Sequence, residues 1–111
     1  MPVHPDPKVI DELVRRIVEA VHPRRIILFG SAARGEMGVN SDLDVLVVMP
    51  EGTYRRRTAQ EIYRSIWGFG FAKDIAVVTE SDVQEYGSNP YMMVKTILEE
   101  GRELYNDNAS G

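Results

Sequence analysis

The sequence predicts a layered α/β (α+β) domain, a small sheet with helices packed on one face. Three observations predict it. Helical and strand-like apolar patterns alternate along the chain. Two strand-length segments, Ile26-Ile27-Leu28-Phe29 and residues 43–49, are almost unbroken apolar runs, as in covered strands. At 111 residues, the chain has length for a single core. One domain is expected over residues 1–111, with its core at 7–105 and a loose tail at 106–111.

The first helix opens at Asp6-Pro7, with aspartate as N-cap and proline in the first helical position. Val9, Ile10, Leu13, Val14, Ile17, Val18 and Val21 recur at helical spacing and form one apolar stripe. His22-Pro23 ends the helix, because the residue before proline avoids the α region. Residues 25–29 form the first strand and residues 43–49 the second. Pro50-Glu51-Gly52-Thr53 is a turn. Gly52 or Thr53 opens the second helix, which reaches Trp67 with Ala59, Ile62, Tyr63, Ile66 and Trp67 inward. Arg55-Arg56-Arg57 falls in its first turn, where positive charge opposes the helix dipole. That run reads either as solvated charge or as a contact for phosphate or an acidic partner.

Gly68-Phe69-Gly70-Phe71 is a loop, and residues 73–79 make the third strand. Ser81 and Gln84 are spaced like a capping box for a short helix ending at Tyr86. Gly87-Ser88-Asn89-Pro90 leads into the last helix, residues 91–100, with Met93, Val94, Ile97 and Leu98 inward and Gly101 as its closing glycine. Arg102-Glu103-Leu104-Tyr105 makes a short edge strand.

Composition narrows the chemistry. The chain has no cysteine, so disulfides, thiolate zinc sites and cysteine nucleophiles are excluded. His4 and His22 are isolated beside prolines and form no metal cluster or triad. Net charge is −4, which disfavours a broad nucleic-acid surface but not a small basic pocket. There is no leader pattern, and no apolar run approaches the ~20 residues of a membrane span, so a cytoplasmic location is expected.

The chemistry gathers in residues 25–49, RIILFGSAARGEMGVNSDLDVLVVM. The first apolar run breaks at Gly30-Ser31. The second run opens with Asp42 and Asp44, and in a strand residues i and i+2 share a face. Two such charges repel by about 4 kcal/mol at an effective dielectric of ~20. A hard cation such as Mg²⁺, which takes carboxylate and phosphate oxygens, relieves that repulsion. Gly30 lets the backbone approach a ligand closely. Ala32-Ala33-Arg34 can begin a helical turn whose free N–H groups suit an anion. Ser31 adds a hydroxyl, and Arg34 either adds a guanidinium or faces solvent from the turn.

Gly30-Ser31, ten intervening residues and Asp42-Leu43-Asp44 resemble the signature of the DNA polymerase β-like nucleotidyltransferases. The fuller string GSAARGEMGVNSDLDVLV is similar to the minimal nucleotidyltransferase branch. The resemblance implies a mixed, largely antiparallel sheet, a two-metal Mg²⁺ site and ATP as nucleotide. It also implies a third acidic residue on a neighbouring strand, carried here onto Asp74, which opens the run Ile75-Ala76-Val77-Val78. A salt bridge from Asp74 to Lys73 or an arginine is the competing reading, and Asp82 is a weaker candidate that suits a helix cap. On the family pattern Asp42, Asp44 and Asp74 hold metal, while Gly30, Ser31 and Arg34 hold the β/γ phosphates.

A domain this small is expected to leave the acceptor to another molecule. The minimal branch resembles antitoxins paired with a HEPN-type toxin, and the resemblance implies AMP transfer onto a tyrosine of that partner. Trp67, Phe69, Phe71, Tyr91 and Met92 are candidate partner contacts, or else they close the core. Two other functions compete: a binding-only module that neutralises a partner by occlusion, and a transferase acting on a small molecule or an RNA end.

Overall fold

The computed structural model describes residues 7–30, 43–68, 72–86 and 93–107. Helix α1 spans Pro7–Val21, followed by strands β1, Arg25–Phe29, and β2, Leu43–Met49. Helix α2, Arg55–Ser65, leads to β3, Ala72–Thr79, and then come helices α3, Glu80–Tyr86, and α4, Met93–Glu100, and strand β4, Arg102–Asn106. The sheet has the order β3-β2-β1-β4. β1 runs antiparallel to both β2 and β4, while β2 and β3 are parallel because α2 carries the chain back between them. The mixed, largely antiparallel sheet expected from the sequence is the one observed.

The alternation of side chains along each strand divides the core in two. Ile26, Leu28, Leu43, Val45, Val47 and Met49 face one way. They pack under Ile10, Leu13 and Ile17 of α1 and under Ile62 and Ile66 at the α2 end. The two longer helices cover this face, but helices do not lie on one face alone as expected. The opposite face carries a smaller cluster of Ile27, Leu46 and Val48, closed by Ile97 of α4 and flanked by Val83 of α3 and Leu98. Both central strands are covered on both faces, so their apolar runs do not alternate with polar residues.

The stops are chemical. His22 takes φ 51, the left-handed region, and its N–H donates to the Val18 carbonyl at 3.0 Å. Histidine is one of the few non-glycine residues enriched there, and buried Pro23 prevents the helix from continuing. On the outer side of α1, Arg15 and Arg16 both bind Glu12, at 2.6 and 2.8 Å. Those hydrogen bonds, Arg15's first, hold the Glu12 carboxyl well below the usual carboxylate range.

The structure corrects several boundaries and faces. α2 begins at Arg55 after Tyr54, later than Gly52 or Thr53, and Tyr54 supplies no side-chain cap. Its buried residues are Thr58 and Ile62, with Ile66 just beyond, whereas Tyr63 is 43% and Trp67 88% exposed. The α3 cap lies two residues earlier than expected. Asp82 Oδ2 accepts from the Thr79 N–H at 2.9 Å, and the Asp82 N–H donates back to Thr79 Oγ1 at 3.3 Å. This reciprocal pair satisfies two donors at once and replaces the expected Ser81 and Gln84 pairing. The tail is held at its start. Asn106 pairs with Arg25, and Asp107 donates its N–H to the Arg24 carbonyl at 2.9 Å while its carboxylate binds Arg24 at 2.9 Å.

Gly101 is demanded by space. Its N–H donates to the Ile97 carbonyl at 2.7 Å. A Cβ there would lie 2.4 Å from the Ile97 carbonyl oxygen, 2.6 Å from Ile27 Cγ2 and 2.9 Å from the Leu28 carbonyl oxygen. Gly101→Ala is expected to lower unfolding free energy by about 1–3 kcal/mol, the range of overpacked sites, measured by urea denaturation. Asp82 is held below the ordinary aspartate range, first by the Thr79 N–H and further by Arg55. A depressed carboxylate stabilises the fold above its unfolded value and ceases to do so as pH falls through its folded value. Asp82→Asn should therefore flatten the acid limb of the stability–pH curve, as followed by circular dichroism.

Candidate active site

The site begins where β1 ends. Gly30 follows Phe29 with φ +75, a left-handed conformation that glycine adopts without strain. A Cβ at Gly30 would stand 2.8 Å from Asp44 Oδ2. The carboxylate of Asp44 thus occupies the space that the missing side chain leaves. Phe29 and Asp44 are register partners across β1 and β2.

On its other side, Asp44 faces Asp74. The β2–β3 register runs Leu43 to Ala72, then Asp44 to Asp74, then Val45 to Ile75. One residue, Lys73, is skipped at this irregularity. Without it, Lys73 would stand opposite Asp44. Bulges re-aim side chains and recur near active sites. This one sets a carboxylate beside a carboxylate, on the face that also carries Leu46, Val48, Ala76 and Val78. Asp44 is half-buried and Asp74 exposed. Neighbouring strands lie ~4.8 Å apart, so the two charges repel by about 1–3 kcal/mol between water and an effective dielectric of ~20.

The donor set suits a hard divalent cation: carboxylate oxygens side by side, with a glycine leaving room at one of them. Asp44 and Asp74 could supply two ligands. Among the described residues no group of three or more His, Cys, Asp or Glu side chains could hold a metal. The expected third ligand, Asp42, lies outside the described residues, as do Ser31 and Arg34. Of the six candidate residues, the structure brings Gly30, Asp44 and Asp74 together. Among the described residues no arginine pairs with Asp74, so the salt-bridge reading with an arginine gains nothing there. Asp82 belongs to the α3 cap and binds Arg55 at 3.1 Å, as its cap reading implied.

The arginine run stands away from this place. α2 starts at the Met49 end of the sheet and returns to the Leu43 end, so Arg55, Arg56 and Arg57 lie at the end opposite the carboxylates. Arg55 binds Asp82, and Arg57 lies over the Tyr54 ring at 5.9 Å from its centroid. Contact of the run with phosphate at this site is therefore ruled out by topology. Sequence reasoning overlooked what lies nearer. The Ile75 N–H, one residue past Asp74, donates to Tyr63 Oη at 3.2 Å. The signal was present in the helical spacing, where Tyr63 and Trp67 share a stripe with Arg56 and Gln60 and not with Ile62 and Ile66.

A carboxylate pair at one end of a helix-covered sheet suits a phosphoryl-handling domain, and comparison with known proteins identifies which. The model of the nucleotidyltransferase domain family matches residues 10–105, and the chain belongs to that family. Its members generally use a nucleoside triphosphate and a divalent metal. Among solved structures, the chain resembles the crystal structure at 1.40 Å of a candidate nucleotidyltransferase from Sulfolobus solfataricus. The TM-score is 0.64 at 19% identity, covering 91% of this chain and 80% of that one, which is a likeness of fold. No curated protein matches the sequence.

Gly30→Ala should cost on the order of 1–2 kcal/mol in stability and displace Asp44. Mn²⁺ affinity, read by calorimetry, should fall at least ~10-fold, the scale of a disturbed ligand environment. Gly52→Ala is the control: φ is +86 there too, but a Cβ would meet nothing within 4 Å. It should show the backbone cost and leave Mn²⁺ affinity unchanged.

Proposed function

We propose that this nucleotidyltransferase moves AMP from ATP onto a hydroxyl of a partner protein, a tyrosine of a HEPN-type toxin, and so acts as its antitoxin. The observation that carries the transfer chemistry is the register pairing of Asp44 with Asp74 beside Gly30. The acceptor part rests on the resemblance of GSAARGEMGVNSDLDVLV to the minimal branch.

In this reading Asp42, Asp44 and Asp74 hold the divalent ions, Mg²⁺ in the cell. When bound, Mg²⁺ supplies charge neutralisation for the triphosphate and acidifies the attacking hydroxyl. The protein's own part is positioning. Gly30, whose missing side chain makes room for the Asp44 carboxylate, offers its N–H to the β/γ phosphates, with Ser31 and Arg34 assisting. The acceptor oxygen forms a bond to the α-phosphorus as the bond to the β-phosphate oxygen breaks, and pyrophosphate leaves. The hydroxyl proton passes to the Asp74 carboxylate, which is exposed and can return it to water.

No described helix is long and apolar enough to cross a membrane. A cytoplasmic setting belongs to the same proposal, since ATP and an intracellular toxin are found there. The net charge of −4 supports a protein acceptor over a nucleic-acid end.

The test is transfer of label from α-³²P-ATP with Mg²⁺ in lysate of the source cells. Wild type should label one protein band. Asp44→Asn and Asp74→Asn should each reduce labelling at least ~100-fold while melting within about 1 kcal/mol of wild type, because both replace a charge at a site of mutual repulsion. Label on RNA or a small molecule would move the acceptor and keep the transferase. Neutralisation of a partner by the Asp44→Asn variant at full strength would mean occlusion in place of catalysis.

A further inference from the structure

The large hydrophobic side chains left in water among the described residues all lie on α2 or within two residues of its ends. Tyr54, the residue before α2, is 78% exposed; Tyr63 is 43% and Trp67 88% exposed. Residues 56, 60, 63 and 67 fall within one stripe of a helix, and the Trp67 N–H still donates to the Arg64 carbonyl at 3.3 Å, which keeps Trp67 on the α2 turn. Two shallow grooves lie along this stripe. One is lined by Tyr63, Arg64 and Trp67, the other by Tyr54, Arg56, Arg57 and Gln60. Exposed aromatics interleaved with arginine are the composition of an interface centre, where a few such residues carry most of the binding energy.

The charge of the stripe is opposite to that of the chain. α2 holds four arginines and one glutamate, in a protein whose net charge is −4. Arg56, Arg57 and Arg64 are exposed, and no ion pair to a described residue holds them. Within the ~8 Å reach of a charge at physiological salt, the stripe attracts carboxylates. A long polyanion would also meet the acidic remainder of the surface, which favours a short acidic protein segment over nucleic acid. The stripe ends at the edge strand β3, one residue past Asp74: Tyr63 Oη accepts from the Ile75 N–H at 3.2 Å, while the Asp74 side chain lies on the opposite face of the sheet.

We propose that the Tyr63–Arg64–Trp67 end of α2, extended by Arg56, is the docking surface for an acidic segment of the acceptor protein, whose hydroxyl reaches Asp74 round the β3 edge. This rests on the transferase reading for its meaning, but not for its test. Trp67 is the sole tryptophan of the chain, so its emission reports occupancy of this surface directly. The probe is a synthetic glutamate-rich peptide containing one tyrosine, with a lysine-rich peptide of equal length as control, titrated without nucleotide or metal.

The glutamate-rich peptide should shift Trp67 emission saturably, with affinity falling at least ~5-fold between 50 and 300 mM salt. Arg56→Glu/Arg64→Glu, checked for fold by circular dichroism, should lose the shift. Asp44→Asn should keep it, so a failed docking and a failed transferase are read by separate experiments. No response to the acidic peptide, or an equal response to the lysine-rich one, would overturn the proposal. A response only to oligouridylate would reassign the surface to RNA, and one only to ATP would make it a base platform. Emission that depends on protein concentration alone would make it a contact between two copies. Each of these outcomes would also overturn the proposal.

Discussion

The arrangement depends on one pairing: Asp44 beside Asp74 at the end of parallel strands. Left to themselves the charges separate, with about 1–3 kcal/mol to gain. They stay together because the strands behind them have no freedom to slip. Val45, Leu46, Val47 and Val48 are at most 1% exposed. Burying each such side chain is worth about 1.5–3 kcal/mol. A one-residue slip would set Val45 and Val47 against α4 and Leu46 and Val48 against α1 and α2, undoing the packing of both faces. The apolar part of the strand therefore enforces the acidic part, and the repulsion is kept in reserve for whatever neutralises it.

The rest of the molecule serves that register. α1 and α2 seal one face with Leu13, Ile17 and Ile62, all fully buried. Ile97 of α4 seals the other at the Met49 half. The carboxylates occupy the Leu43 half of that same face, so apolar packing and polar chemistry divide a single sheet surface between its two ends. Gly101 lets α4 turn directly into β4 against Leu28, and the Arg24–Asp107 pair ties the last residues of the sheet to its central strand.

α2 follows a different logic. It buries a narrow stripe of Thr58, Ile62 and Ile66 and leaves its aromatic side in water. A helix that only packed would carry small or charged residues there. Its return path to the Leu43 end brings Tyr63 to the β3 edge one residue past Asp74, so the element that makes the parallel crossover possible also reaches the sheet end of the site, from the opposite face.

The sequence by itself determined what depends on local pattern. The bounds of β1 and β2, the start and stop of α1, and Gly101 as the end of α4 follow from apolar spacing, proline chemistry and glycine geometry. The proximity of Gly30 and Asp44 follows from the antiparallel pairing of β1 and β2, two strands whose bounds are legible in the sequence, with Phe29 opposite Asp44. Tertiary structure decided the rest. Lys73 and Asp74 are adjacent, and only the irregularity in the β2–β3 register settles which of them meets Asp44. Asp82 and Ser81 were both plausible caps, and the choice was made by the geometry of Thr79 at the end of β3. Tyr63 and Trp67 are exposed because α2 turns the Thr58, Ile62 and Ile66 stripe to the sheet, a choice of face that the spacing suggested and only packing settled. Pattern specifies what a segment is, because it acts over a few residues. Register and helix rotation are set by contacts between segments far apart in the chain, and no local pattern encodes them.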